Sequence, residues 1–122
     1  MAKVERRGAV RIPAKLAMEI RIGDVDTARV ESINVSANGV YFTSTRYIPE
    51  LTKLDITLDL PRSGAEPSAR GDSVVCSGVV VRTEPEEEQP GVSEYEIACY
   101  FTSIDNSDKE TLESYILKQV AF

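Results

Sequence analysis

The sequence contains no histidine, and that absence removes several chemistries at once. Ser-His-Asp and Cys-His catalysis need the mid-range imidazole base, and the commonest nitrogen ligand of zinc goes with it. Cysteine is scarce: Cys76 and Cys99 lie far apart and form neither a CxxC redox pair nor part of a metal quartet, so they read as buried thiols of a reducing compartment. No stretch approaches the ~18 apolar residues that a membrane-spanning helix requires. The opening residues, Met1-Ala2-Lys3-Val4-Glu5-Arg6-Arg7, lack the apolar segment of a secretory leader. The expectation is therefore a cytoplasmic protein with no membrane insertion. In that setting Asn34-Val35-Ser36 and Arg70-Gly71-Asp72 are accidental matches to a glycosylation acceptor and an adhesion tripeptide.

What is present is ordinary in bulk and uneven in detail. The 122 residues are 42% apolar and 28% charged, with a net charge of −6, as expected of a single domain with one modest core. Residues 1–22 carry six bases (Lys3, Arg6, Arg7, Arg11, Lys15 and Arg21) against Glu5 and Glu19, a surplus of +4, so the remainder carries −10. A body that acidic repels a long polyanion and argues against DNA or RNA as a partner. A local arginine cluster can still hold a small, compact anion.

The hydrophobic pattern has the period of strands. Leu16, Met18, Ile20 and Ile22 alternate with Ala17, Glu19 and Arg21; Leu54, Ile56, Leu58 and Leu60 with Asp55, Thr57 and Asp59; Tyr95, Ile97, Cys99 and Phe101 with Glu96, Ala98, Tyr100 and Thr102. β-prone runs at 27–33, 39–44 and 73–83 bring the expected number of strands to about six. Asn34 to Gly39 reads as a tight turn, Pro61 to Gly71 as a Pro/Ser/Gly loop, and Glu84 to Gly91 as an acidic loop whose Glu86-Glu87-Glu88 run is a solvated tip. Ser107 with Glu110 has the form of a capping box, and Leu112, Tyr115, Ile116 and Val120 follow at helical spacing, predicting an amphipathic helix over 107–121. Six short antiparallel strands bury a common face and lose their open edges by curling into a barrel, which the helix closes or flanks. The expected division is a flexible basic lead-in over 1–14 and one all-β domain over 15–122.

Two segments stand outside the barrel pattern. Arg6-Arg7-Gly8-Ala9-Val10-Arg11 precedes the first strand and is followed by Ile12-Pro13, where proline discourages a helix. Asn34-Val35-Ser36-Ala37-Asn38-Gly39 is a turn in which Asn and Ser can bond the neighbouring backbone and Gly can adopt a positive φ. An Arg-x-x-x-Arg pair is cheap by chance, roughly 0.6 expected from this composition, and by itself is an exposed tail. The [Asp/Asn]-x-Ser-x-x-Gly pattern is rarer, about 0.05 expected, although hairpin turns favour those residues anyway.

Arg-x-x-x-Arg just before the first strand, with Asn-x-Ser-x-x-Gly between the second and third, resembles the PilZ family of cyclic di-GMP receptors. The resemblance extends over nearly the whole chain, through the Glu5-Arg6-Arg7 lead-in, the Gly78-Val79-Val80-Val81-Arg82 strand, the Tyr95-to-Phe101 strand and the terminal helix. It implies a six-stranded antiparallel PilZ-type barrel with a C-terminal α-helix, and a non-enzymatic cyclic di-GMP receptor that changes conformation on binding and signals to a protein partner. By motif position, Arg7 and Arg11 would hold phosphate and guanine, Asn34 and Ser36 would hydrogen-bond a base, and Gly39 would hold the turn open. Arginine suits that ligand, because its planar fork grips phosphate or guanine O6/N7 and also stacks on a purine. Asn34 stands where the family often has Asp and accepts less strongly than a carboxylate. Arg6 makes the lead-in Arg-Arg-x-x-x-Arg, which in this family tends to accompany two intercalated cyclic di-GMP molecules. No catalytic residue, metal site or cofactor is expected. The competing reading is a structural or adaptor barrel whose arginines pair with an acidic partner protein and bind no nucleotide. An enzyme is disfavoured because no phosphate-cradling GxxxxGK and no nucleophile beside a base is present.

Overall fold

A computed structural model describes residues 10–23, 26–61 and 72–120. Seven strands are followed by one helix: β1 (Ile12–Pro13), β2 (Ala17–Ile22), β3 (Asp26–Val35), β4 (Gly39–Ser44), β5 (Lys53–Leu60), β6 (Asp72–Glu84), β7 (Tyr95–Ile104) and α1 (Asn106–Val120). The sheet runs β1-β3-β2-β5-β6-β7-β4 and closes through β3–β4, with every pairing antiparallel. The wall is thus the expected six-stranded barrel, and β1 is an additional two-residue strand beyond the six.

Period-two alternation builds the interior. Met18, Ile20, Phe42, Leu54, Ile56, Leu58, Val74, Val80 and Ile97 are almost wholly buried, each on the inward face of its strand. Burying such side chains contributes about 1.5–3 kcal/mol apiece, the term that carries a domain of this size. Leu112 and Ile116 of α1 join the core, Tyr115 is half-buried, and Val120, expected on the same stripe, is exposed. The helix begins at Asn106, so Ser107 lies inside the first turn and is not its cap. The opening helical bond runs from Lys109 N–H to the carbonyl of Asp105 at 2.8 Å, and Ser107 instead offers its carbonyl to Thr111 Oγ1. Asp108 ties this end of the helix to the wall by accepting from Val75 N–H at 3.2 Å. The expected end at residue 121 and the loop over 62–71 lie outside the described residues.

The lead-in is anchored from Ile12 onward, and Ile12 is a core residue at 5% exposure. β1 pairs Ile12 with Val35 and Pro13 with Asn34. Just beyond it, Ser32 acts as a clasp. Its hydroxyl accepts from Leu16 N–H at 2.9 Å and donates to the carbonyl of Ala14, while Ser32 N–H donates to Leu16 O and Ala14 N–H to Ile33 O, both at 3.0 Å. At 2% exposure, Ser32 satisfies backbone groups that water does not reach.

Removing that hydroxyl strands the buried N–H of Leu16, which costs about 1–3 kcal/mol when unpaired, and takes a donor from the part-buried carbonyl of Ala14. Ser32→Ala is expected to lower the melting temperature by several degrees, on the order of 3–8 °C for a domain of this length. Thermal unfolding followed by circular dichroism checks this, and an unchanged midpoint would remove the clasp from the fold's essential contacts.

Cys76 and Cys99 are free, buried thiols. Burial pushes both up to about 12 from an ordinary 9.0, with the neighbouring Cys99 sulfur adding to the effect at Cys76. The folded protein keeps these protons at a pH where the unfolded chain would shed them. Their contribution to stability is therefore complete below about pH 9 and is lost as pH climbs towards 12. In Cys76→Ala/Cys99→Ala, the fall in unfolding free energy between pH 8 and pH 10.5 should be smaller than in the parent protein, as denaturant titration at the two pH values would measure.

Candidate functional site: a groove beside the β3–β4 turn

The turn linking β3 to β4 is shorter than the sequence suggests. Asn34 and Val35 belong to β3, and only Ser36 to Asn38 turn, closed by Ser36 N–H donating to Gly39 O at 2.9 Å. Ser36 is buried at 5% exposure, and its Oγ accepts from Asn38 N–H at 3.1 Å. The hydroxyl therefore shapes the turn as a short serine loop does. Asn38 O in turn accepts from Phe101 N–H at 2.8 Å, fastening the turn to β7.

Gly39 is required for a reason other than the expected one. Its φ is not positive; Gly23 and Gly91 are the described glycines in that region. What excludes a side chain is close approach, since a Cβ at position 39 would fall 2.4 Å from the carbonyl oxygen of Cys99.

Asn34 owes its direction to a β-bulge. The register passes from Ser32↔Phe42 to Asn34↔Tyr41, leaving Ile33 as an extra residue. Ser32 and Val35 consequently both point inward, while Ile33 and Asn34 are both half-exposed. A second bulge lies opposite. β6 passes from Val80↔Cys99 to Arg82↔Ala98, so Val80 and Thr83 point inward while Val81 and Arg82 face out together. The other edge of Val80 is held by Leu51 N–H donating to Val80 O at 2.7 Å and by Val80 N–H donating to Thr52 O at 2.9 Å. Bulges recur where a sheet must re-aim a side chain.

Between these two bulges runs a groove of about 510 Å³, lined on one side by Arg11, Asn34, Ser36 and Asn38 and on the other by Val81 and Tyr100, over a floor that includes Gly39, Tyr41 and Ala98. The structure thus brings Arg11, Asn34, Ser36 and Gly39 together. Arg11 arrives because Ile12 pairs with Val35, which sets the preceding residue beside Ser36. Arg6 and Arg7 lie outside the described residues. Sequence reasoning missed Asn38, Tyr41, Val81 and Tyr100. The outward parity of Tyr100 was visible in the β7 alternation, but its neighbours across the sheet were not.

The charge of the groove is opposite to that of the chain. Among the described residues no Asp or Glu lines it, whereas a second cavity of about 590 Å³ on the outer wall is lined by Glu19, Asp55, Asp105 and Asp108 together with Arg21. Arg21, Arg29, Arg46 and Arg82 each face a carboxylate, Asp55, Asp59, Asp26 and Glu84 respectively. Arg11 has no such partner among the described residues and is exposed. At the rim, Tyr41 Oη donates to Glu96 Oε1 at 2.8 Å, which holds its proton more tightly than an ordinary phenol, while Arg82 beside it pulls the other way. The described lining of the first groove thus carries one positive charge, and that of the second cavity four carboxylates against one arginine.

The fold is a closed antiparallel barrel whose groove at a strand-to-strand turn carries one arginine and several hydrogen-bonding groups. The sequence matches the PilZ domain over residues 5–118, and the chain belongs to the PilZ domain family. Among solved structures it is similar to the Bacillus subtilis inhibitor of motility MotI/DgrA, with 22% identity and a TM-score of 0.75 over 95% of this chain and 52% of that one. K. pneumonia MrkH in its apo state gives 15% and 0.70 over 92% and 50%. The PilZ domain of Escherichia coli YcgR, solved with c-di-GMP, gives 14% and 0.67 over 95% and 92%. At these identities the likeness is one of fold, and the chain spans about half the length of MotI/DgrA and MrkH. Among curated proteins none matches it. Among the described residues no helix is long and apolar enough to cross a membrane.

Gly39→Ala should displace the β4–β7 pairing beside the groove, because the clash is with backbone and no rotamer relieves it. The expected result is a loss of more than about 2 kcal/mol in stability, beyond the ordinary effect of a surface change. Denaturant unfolding measures it, and a neutral result would show that the turn has room to shift.

Proposed function

We propose that this PilZ domain is a receptor for cyclic di-GMP, acting by binding and not by catalysis in a bacterial cytoplasm. The observation that carries the reading is the convergence of Arg11, Asn34, Ser36 and Gly39 on one groove that has no carboxylate among its described lining residues, in a chain whose net charge is −6. The ligand's two phosphates and two guanines call for fixed positive charge and for groups that meet a base edge. Arg11 offers the fork, Asn34 the amide and carbonyl, and the turn a row of peptide groups. The PilZ fold of YcgR, solved with c-di-GMP, and the MrkH–c-di-GMP complex lend support from relatives of the same architecture.

In this reading the lead-in closes over the ligand. Arg11 stands next to β1 beside Ser36, and Arg7, four residues upstream, adds a second guanidinium. The lead-in and the bound nucleotide together form the surface that a downstream protein reads. Arg6 contributes a third guanidinium, offsetting repulsion between the phosphates of two stacked ligands.

Calorimetric titration with cyclic di-GMP, with GTP and cyclic GMP as controls, is the direct test. Binding specific to cyclic di-GMP is expected, weakened at least ~10-fold by Arg7→Ala or Arg11→Ala, since each removes charge-assisted bonds of about 1.5–3 kcal/mol. The melting temperature should hardly move. Unaltered affinity in the double variant would overturn the assignment. The same titration counts ligands, and Arg6→Leu should lower about two per chain towards one.

A further inference from the structure

The groove has two chemically different walls, and the lead-in and turn motifs account for only one. Asn34, Ser36 and Asn38 present hydrogen-bonding groups; across from them Val81 and Tyr100 present apolar surface to solvent, at 51% and 54% exposure. Large apolar side chains left in water beside a binding groove need a reason. Val81 faces out by the ordinary alternation of the strand, and the bulge sets Arg82 out beside it. Regular alternation after the buried Val80 would turn one residue outward and the next inward, whereas the extra residue turns Val81 and Arg82 out in succession. Tyr100 lies opposite Gly39 on one side and Val79 on the other. The absent side chain of Gly39 leaves the groove open beside the tyrosine ring.

A nucleobase has the complementary shape: a polar edge and an apolar face. Building on the receptor reading above, we infer that Tyr100, with Val81, is the stacking wall of the site, on which one guanine lies by its face while its edge meets Asn34 and the Ser36–Asn38 turn. A ring in this position supplies affinity more than base selectivity, because every base presents a π-face. Arg11, on the opposite side, remains free to hold phosphate.

The protein contains no tryptophan and five tyrosines, so its intrinsic emission comes from tyrosine alone; because Tyr41 lines the same groove, fluorescence is recorded in a Tyr41→Phe background, where stacking on Tyr100 is directly observable. The test titrates cyclic di-GMP into the full chain and into Tyr100→Ala and Tyr100→Phe, recording calorimetric affinity and tyrosine fluorescence. Tyr100→Ala should bind on the order of 5- to 150-fold more weakly, the range for loss of one base–aromatic stack. Its melting temperature should stay unchanged. Tyr100→Phe should keep affinity within about 3-fold, since the ring remains, yet lose most of the ligand-induced quenching. If the unaltered protein binds no cyclic di-GMP, the receptor reading itself fails. If it binds and Tyr100→Ala binds equally well, or if quenching survives in Tyr100→Phe, the stacking wall is overturned while the receptor reading stands.

Discussion

The clasp at Ser32 is the interaction on which the rest depends. Four hydrogen bonds between residues 14–16 and 32–33 fix the path of the chain as it enters the barrel, and β1 follows from that path. Two residues are too few to hold a strand by ladder bonds alone. Ile12 adds hydrophobic burial to the pairing, and Ser32 satisfies the polar groups at the point where the chain bends between β1 and β2. Arg11 then has only one place to be, beside Ser36. Two segments separated by more than twenty positions form one groove because a buried hydroxyl sits between them.

The second constraint is a pair of departures from strand periodicity. A strand that alternates perfectly offers a groove only every other side chain, and a neighbouring pair of outward residues is unobtainable. At Ile33-Asn34 and at Val81-Arg82 the barrel places two consecutive residues outside and returns to the core on the third. The interior is not disturbed, because the flanking residues Ser32 and Val35, and Val80 and Thr83, remain inward. The function-bearing rim is thus made of irregularities that the core tolerates.

Much of this was legible in the sequence. The alternation in residues 16–22, 54–60 and 95–101 assigned inward faces that the structure retains, and closure into a barrel followed from the need to remove edges. Local spacing could not convey tertiary facts. Ile12 belongs to the core, but a two-residue strand ending in proline has no period to detect. The 73–83 run reads as nearly all apolar, although Val75 and Val81 are exposed, because an outward parity cannot be told from burial by composition. Gly39 looked like a turn glycine and proves to be a contact glycine, its constraint coming from the Cys99 carbonyl on a strand sixty residues downstream. The helix start moved for a related reason: Asp105, directly after β7, already holds the first helical bond, so the better-looking cap at Ser107 is not used.

Barrel closure also bears on self-association. Each of the six wall strands has a partner on both sides, so no wall strand exposes a whole edge to a second chain. Among the described residues short flanks remain at residues 26–30 of β3, which pair with β2 but not with β4, and at β1, which is two residues long, ends in a proline with no N–H to donate, and rests against α1. A strand as short as β1, blunted in this way, is a poor template for edge-to-edge growth. Strand addition by another chain is thereby directed to the start of β3, at the opposite end of that strand from the arginine-bearing groove.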